Sequence, residues 1–364
     1  MTRAVFVIAE AGVNHNGSVE RALAMVDAGA AAGADAVKFQ TFDAGQLVTR
    51  RAARAAYQVE NTGEDGGQLE MLRALQLTAD DHRALARRCA ERGVHFISTA
   101  FDMGSLEMLA AFDMPAVKIP SGDITWGAML LKAARLGRPL ILSTGMATMD
   151  EIAEALGAVA FALTRDGEPA ARAELATALA SEAGLAAVRE RVTLLHCTTQ
   201  YPTPLEAVNL RAMGTMAERF GVRVGYSDHT RSLAVPVAAV ARGAVVIEKH
   251  FTLDRGLPGP DHAASLEPDE LAAMIGMIRE TERALGSAEK GPTGEEMANR
   301  LAARRCLVAA RPIMAGETLT LDLLTAKRPS DGLSPMEVWG LAGRPAAADF
   351  AVDEVITPGA KEAE

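Results

Sequence analysis

Eight short, nearly all-apolar runs, each followed by a helical stretch, constrain this chain more than any other feature. The runs cover residues 4–9, 36–39, 94–98, 116–119, 140–142, 192–195, 222–229 and 245–250 and read as strands. The stretches between them carry helix signals. Ser18 can cap a helix that Gly33 closes, helices over 79–92 and about 104–112 follow, another starts at Asp150, and helices near 213–220 and 232–242 flank the seventh and eighth runs. Pro268 opens a last helix that stops at Gly286. Eight β-then-α repeats over about 285 residues predict a (β/α)8 TIM barrel. Strands buried on both faces need no polar alternation, and these show little. A doubly wound sheet is the alternative; the lack of Gly-x-Gly-x-x-Gly after the first run counts against it.

Polar residues gather where the runs end: Glu10, Lys38 and Gln40, Thr99, Lys118 with Ser121, Ser143, His196, His229, and Glu248 through His250. In a barrel these ends meet in one pocket, the place where such folds carry chemistry.

Bulk composition excludes several classes. The 364 residues carry a formal net charge of −10, so a basic footprint for nucleic acid is absent, and an aromatic content of 4% disfavours base-stacking platforms. No apolar run approaches the roughly 18 residues of a membrane span. The apolar start meets Glu10 and reads as a first strand, not a signal peptide. Cys89, Cys197 and Cys306 are few and far apart, which predicts reduced thiols and a cytoplasmic setting.

Two regions break the rhythm. Residues 41–78 form a long polar connection with one helical run, Leu69 to Leu75; connections of this length are usually functional. After residue 286 the texture changes. Residues 287–303 read as a linker, and 304–364 as a small, mostly β domain with strand candidates at 306–310, 318–320 and 352–356. A unit so small is marginal alone, so it is expected to pack on something.

The chemistry at the strand ends leaves alternatives open. His196 and His229 end neighbouring strands and suit a divalent metal with open positions, with Glu10 completing or orienting the shell; a hydrogen-bonded pair without metal is the other reading. Lys38 and Lys118 lie inside apolar strands and need a buried anion. That anion is either a phosphate or carboxylate ligand, helped by Ser121, Ser143 and the nearby backbone N–H groups, or an acidic side chain such as Glu10, Asp123 or Glu248. A Schiff-base lysine is a third reading. Asp261 can grip substrate hydroxyls or stabilise its own loop. Cys197 reads as a packed thiol pointing away from the side of His196.

Several blocks together resemble a known family. They are Ile8-Ala-Glu-Ala-Gly-Val-Asn-His-Asn-Gly17, Ala34-Asp-Ala-Val-Lys-Phe-Gln40, Lys118-Ile-Pro-Ser-Gly122, Leu142-Ser-Thr-Gly-Met146, Leu195-His-Cys-Thr-Thr-Gln-Tyr-Pro-Thr-Pro204, Gly225-Tyr-Ser-Asp-His-Thr230, Ile247-Glu-Lys-His-Phe-Thr252 and Gly259-Pro-Asp-His262. In this order they resemble bacterial sialic acid synthases. Ala303-Arg-Arg, Ala315-Gly-Glu317 and Lys327-Arg-Pro329 resemble the antifreeze-like (SAF) domain of those enzymes.

The resemblance implies that phosphoenolpyruvate condenses with the open-chain aldehyde of an N-acylated hexosamine, typically N-acetylmannosamine, to a nine-carbon 2-keto acid, with phosphate leaving by C–O cleavage. It implies Mn²⁺ or Mg²⁺ on His196 and His229. It implies phosphoenolpyruvate on Lys38, Thr99, Lys118, Ser121 and Ser143, with Gln40 beside the sugar and Glu10 managing water. It also implies a domain-swapped homodimer in which Arg328 reaches the neighbouring site. Asp123 stands where the family often has Glu and would take any proton-transfer role there, and Ile124-Thr-Trp-Gly-Ala lacks an expected Asn-x-Pro run. Phe39 and Tyr57-Gln58 resemble the legionaminate-like branch. The rival functions are a synthase using an aldose phosphate and a non-catalytic sugar-binding barrel.

Overall fold

The computed structural model describes residues 4–55, 58, 59, 63, 66–329 and 331–357. Tyr57 lies outside them. The chain forms two compact units, Met1–Gly286 and Ser287–Glu364.

In the first unit eight parallel strands close a barrel in sequence order. They are β1 (Phe6–Gly12), β2 (Ala36–Thr41), β3 (His95–Ala100), β4 (Val117–Ile119), β5 (Leu140–Ser143), β6 (Val192–His196), β7 (Arg223–Asp228) and β8 (Val246–His250), with β8 pairing back onto β1. The expected TIM barrel is the observed fold. Local chemistry sets the helix ends. The helix Ala79–Arg92 starts with a reciprocal capping box between Thr78 and Asp81, and ends at Gly93, whose φ of 72° is left-handed. Thr148 and Glu151 form the same box ahead of Met149–Thr164. Two further helices, Ala173–Ala180 and Glu182–Arg191, occupy the stretch before β6.

Alternation along the strands divides two cores. Outward side chains such as Val7, Val37, Phe39, Ile119, Leu142 and Leu194 pack under the helices. Inward ones, Ile8, Ala36, Ile97, Ala116, Ile141, Leu195 and Val246, form a separate plug. Gly225 belongs to this level on β7. A Cβ there would lie 2.4 Å from the Val246 carbonyl oxygen and 2.6 Å from Leu195 Cδ2, so only glycine fits. Counting two residues on from the plug gives the next inward level: Glu10, Lys38, Thr99, Lys118, Ser143, Cys197, Ser227 and Glu248. Apolar plug and polar floor thus come from one register.

The long connection after β2 contributes helices of its own. A short helix, Ala44–Leu47, and the helix Gln68–Leu75 bring Phe42, Ala44, Met71, Leu72 and Leu75 together with Val13 in a small apolar cluster.

The second unit has an exposed helix, Gly294–Ala303, inside the stretch read as a linker. A two-stranded antiparallel sheet follows, β9 (Cys306–Ala309) against β10 (Leu324–Lys327). Of the three strand candidates, 306–310 is β9. At 318–320 and 352–356 only single bridges form, Thr318↔Pro345 and Val308↔Val355. The strand β10 was not anticipated. Leu307, Ile313, Leu319, Leu323, Phe350 and Ile356 make the unit's own core. All three cysteines are free and buried, and no helix of the described residues is long and apolar enough to cross a membrane.

Candidate active site

The polar floor opens into a cavity of about 360 Å³ at the C-terminal end of the barrel. Its base is a chain of buried charges. Lys38 Nζ lies 2.6 Å from Glu10 Oε2 and 3.8 Å from Glu248 Oε1, and Lys118 Nζ lies 3.7 Å from the same Glu248 oxygen. Lys38 also donates to Thr99 Oγ1 at 2.9 Å. Both lysines are therefore met by side-chain carboxylates, one of the anions expected, and they face the open cavity as well.

Burial dominates the electrostatics. It pushes the Glu10 carboxyl up to about 7 against the opposing pull of Lys38, and the neighbouring Glu248 adds to the rise. Burial works against the Lys38 ammonium too, but Glu10 and Glu248 outweigh it and hold Lys38 above the ordinary lysine value. Lys118, whose nearest carboxylate is farther away, is held low by burial. Glu248 is desolvated, yet Lys118 and Lys38 bring it below the usual carboxylate range.

Above the floor stand two histidines from adjacent strands. The His229 and His250 rings are 5.4 Å apart between centroids, and both line the cavity. His229 Nδ1 lies 2.7 Å from the Thr198 carbonyl oxygen, so Nδ1–H donates there and Nε2 keeps its lone pair. Burial brings His229 down to about 4 and His250 well below its ordinary value, so both imidazoles are neutral. His250 Nδ1 is buried without a hydrogen-bond partner. Tyr201 lies over His229 at 4.2 Å and meets His250 edge-on at 5.8 Å.

His196 is not part of this set. It follows the inward Leu195 and precedes the inward Cys197, so alternation turns it outward. Its half-buried ring contacts Tyr226 at 5.8 Å, and its Nε2 lies 2.7 Å from the Val208 carbonyl oxygen. Cys197 is the packed thiol expected, on the face opposite His196, and that face is the inward one. Its thiol faces the cavity, 3.2 Å from Ser121 Oγ, and burial holds it in the protonated form. Ser227 and the metal-ligating potential of His250, missed by sequence reasoning, follow from counting in steps of two from the plug, as does the inward position of Glu248.

The remaining candidates surround the cavity. Gln40 Nε2 donates to Glu10 Oε1 at 3.3 Å. Ser121 Oγ accepts from the Gly145 N–H at 3.0 Å, and Ser143 is buried in the lining. Asp123 and Asp261 both line it, and burial raises each carboxyl to about 6, with Asp102 adding to the effect at Asp123. One side of the cavity is apolar and comes from the long connection: Phe42, Leu47, Val48, Met71, Leu72 and Leu75. Arg328 is exposed in the second unit, one residue past the end of β10.

These residues fit a divalent metal in an open site. Two neutral imidazoles face one cavity and buried carboxylates lie nearby. Among the described residues no cluster of three or more His, Cys, Asp or Glu is placed to hold a metal ion. His229 and His250 would therefore supply the protein ligands, leaving other positions to water and substrate oxygens.

Comparison with known proteins agrees with this architecture. Residues 25–290 match the NeuB family, and residues 304–360 match the SAF domain. The N,N'-diacetyllegionaminic acid synthase of Campylobacter jejuni is 41% identical over 350 residues, covering 96% of this chain and 98% of that protein. The protein of the same name from Legionella pneumophila is 41% identical over 338 residues, covering 93% and 89%. The crystal structure of the N-acetylneuraminic acid synthetase from Leptospira borgpetersenii, in complex with citrate, matches with a TM-score of 0.65 and 31% identity over 82% of this chain and 90% of that one. The barrel, its charged floor and the appended small domain thus belong to a member of the NeuB family, an enzyme of that synthase type.

Proposed function

We propose that this protein condenses phosphoenolpyruvate with the open-chain aldehyde of an N-acylated mannosamine-type sugar, giving a nine-carbon 2-keto acid and inorganic phosphate. The observation that carries the reading is the floor itself: two buried lysines and three hydroxyl side chains, Thr99, Ser121 and Ser143, beside a pair of neutral histidines. Lys38 and Lys118 neutralise the phosphate and carboxylate of the enol phosphate, and the hydroxyls donate to its oxygens. Lys118, 3.7 Å from its carboxylate, has room for a closer anion.

The atoms balance simply. C3 of the enol phosphate bonds to the aldehyde carbon, water adds at C2, and C2 becomes a ketone as the phosphate C–O bond breaks and the remaining hydroxyl proton leaves with the phosphate. Glu10, titrating near neutrality, takes a proton from the added water. Asp123, which lines the cavity and whose carboxyl is also raised, protonates the oxygen derived from the aldehyde in this reading. Gln40 and Asp261 orient the acceptor's hydroxyls. A divalent metal held by His229 and His250, Mn²⁺ or Mg²⁺, supplies Lewis acidity toward the aldehyde oxygen when bound.

The acceptor we favour is the 2,4-diacetamido-6-deoxy sugar. The names of the two relatives at 41% identity support it, as does the apolar wall, which suits acetyl methyls and a deoxy carbon better than hydroxyls. A domain-swapped homodimer, with Arg328 serving the neighbouring site, completes the proposal. The exposed Met336 and Trp339 support it, since apolar side chains that open to water favour a partner.

The test is phosphate release from phosphoenolpyruvate with Mn²⁺, run with N-acetylmannosamine and with the 2,4-diacetamido-6-deoxy analogue. Faster release with the latter is expected. No release with either sugar from folded protein would overturn the reaction.

A further inference from the structure

On the outer side of the barrel wall, back to back with the two histidines, lies an ion pair that the reaction does not use. Lys249 and Asp228 face each other across β7 and β8 as paired residues, are both fully buried, and approach to 2.6 Å. On four other strands the outward position one residue past the floor is apolar, with Ala11, Phe39, Ala100 and Ile119 packed under the helices, and after β5 and β6 it is an uncharged threonine, Thr144 and Thr198. An apolar pair would avoid the desolvation that two buried charges suffer, so the ion pair is not explained by stability alone.

Its contacts show what it holds. Asp228 accepts from the Thr230 N–H at 2.9 Å and from Thr230 Oγ1 at 3.2 Å. Lys249 Nζ donates to the Thr230 carbonyl as well. The carboxylate and the ammonium therefore clasp the chain on both sides of His229, at the point where β7 ends and backbone pairing gives out. Lys249 is itself the residue before His250. One clasp thus sets the backbone of one histidine relative to that of the other, while both side chains project to the opposite face.

We propose that the Lys249–Asp228 pair, with Thr230, is a positioning device that fixes the separation of His229 and His250 and through it the affinity of the metal site. The proposal rests on the reading of those two histidines as the metal's protein ligands.

The test uses the full chain, stripped by chelation and titrated with Mn²⁺ while free Mn²⁺ is followed by electron paramagnetic resonance. Lys249→Met is expected to weaken Mn²⁺ binding about 10- to 100-fold, the range for loss of outer-shell support. Lys249→Arg should restore most of it, and kcat at saturating Mn²⁺ should fall far less than affinity does. Thr230→Val, which removes the hydroxyl's contacts to Asp228 and to the Ser232 N–H, should weaken binding several-fold and decides the matter if Lys249→Met does not fold. Folded variants with wild-type Mn²⁺ affinity and only a lower thermal midpoint would overturn the proposal. A His250→Gln arm separates the two ideas: Mn²⁺ binding that survives it removes the ligand assignment, and the proposal with it.

Discussion

Lys38 Nζ and Glu10 Oε2 sit 2.6 Å apart on neighbouring strands, each almost fully buried, and neither has another partner of opposite charge as near. Removing one leaves the other stranded. Lys38→Met is expected to lower stability by about 3–5 kcal/mol near pH 8, measured by urea denaturation. Adding Glu10→Gln should recover much of that stability while turnover stays lost. A Lys38→Met variant as stable as wild type would show that Lys118 and the rest of the buried charge chain compensate Glu10 without Lys38.

The roles proposed for His229 and His250 can be told apart from the structural one of His196. Substituting Gln for His229 or His250 should reduce kcat/KM by at least about 10³-fold. His196→Gln should keep Mn²⁺ binding and most of the activity, with its cost confined to the hydrogen bond to the Val208 carbonyl. Equal losses at all three positions would contradict the outward orientation of His196.

Acid should weaken the fold through His15. Its ring is fully buried, Nδ1 accepts from the Gly17 N–H at 3.0 Å, and burial brings it down to about 4. The unfolded chain takes up this proton near pH 6.5 and the folded one only near 4. The stabilisation is complete above pH 6.5 and is lost as pH falls toward 4, by at most about 3 kcal/mol for this group. His15→Gln should flatten the stability profile over that window, whatever it does at neutral pH. An unchanged slope in a pH series of denaturation curves would rule the group out as the cause.

Asp261 has the opposite sign. Burial raises its carboxyl from 3.8 to about 6, so its contribution is present below 3.8 and is lost as pH rises through 6. Asp261→Asn is expected to gain about 1–3 kcal/mol at pH 7.5 and almost nothing at pH 3.5, with KM for the acceptor sugar rising. A variant less stable than wild type at pH 7.5 would mean that the charge is compensated.

The barrel was legible because eight apolar runs and their helix caps repeat the same local instruction. The site was legible only as a set. Glu10, Lys38, Thr99, Lys118 and Ser143 stand out as polar breaks at strand ends, and each faces the cavity. His196 looked equally convincing because it ends a strand, yet side-chain direction depends on parity, and Leu195 and Cys197 take the inward positions. Leu195 in the plug and Cys197 in the lining hold the phase that His196 breaks. Glu248 was read as a strand-end acid and counter-ion, but its proximity to both lysines at once depends on barrel closure, a non-local fact. In the second unit β10 escaped notice because Leu-Thr-Ala-Lys is four residues long and its partner lies across a long turn.

The apolar wall of the cavity has a consequence for how this enzyme changes over time. The floor draws one residue from each of eight strands, so altering it requires coordinated substitutions across the whole barrel. Most of the wall comes from a single excursion of the chain, residues 42–75, that lies between two strands and outside the closed sheet. Insertions, deletions or wholesale replacement there leave the hydrogen-bonded ring untouched. On the proposed reading, a lineage can therefore trade one acceptor for another by rewriting one contiguous segment of its gene while the floor is inherited unaltered.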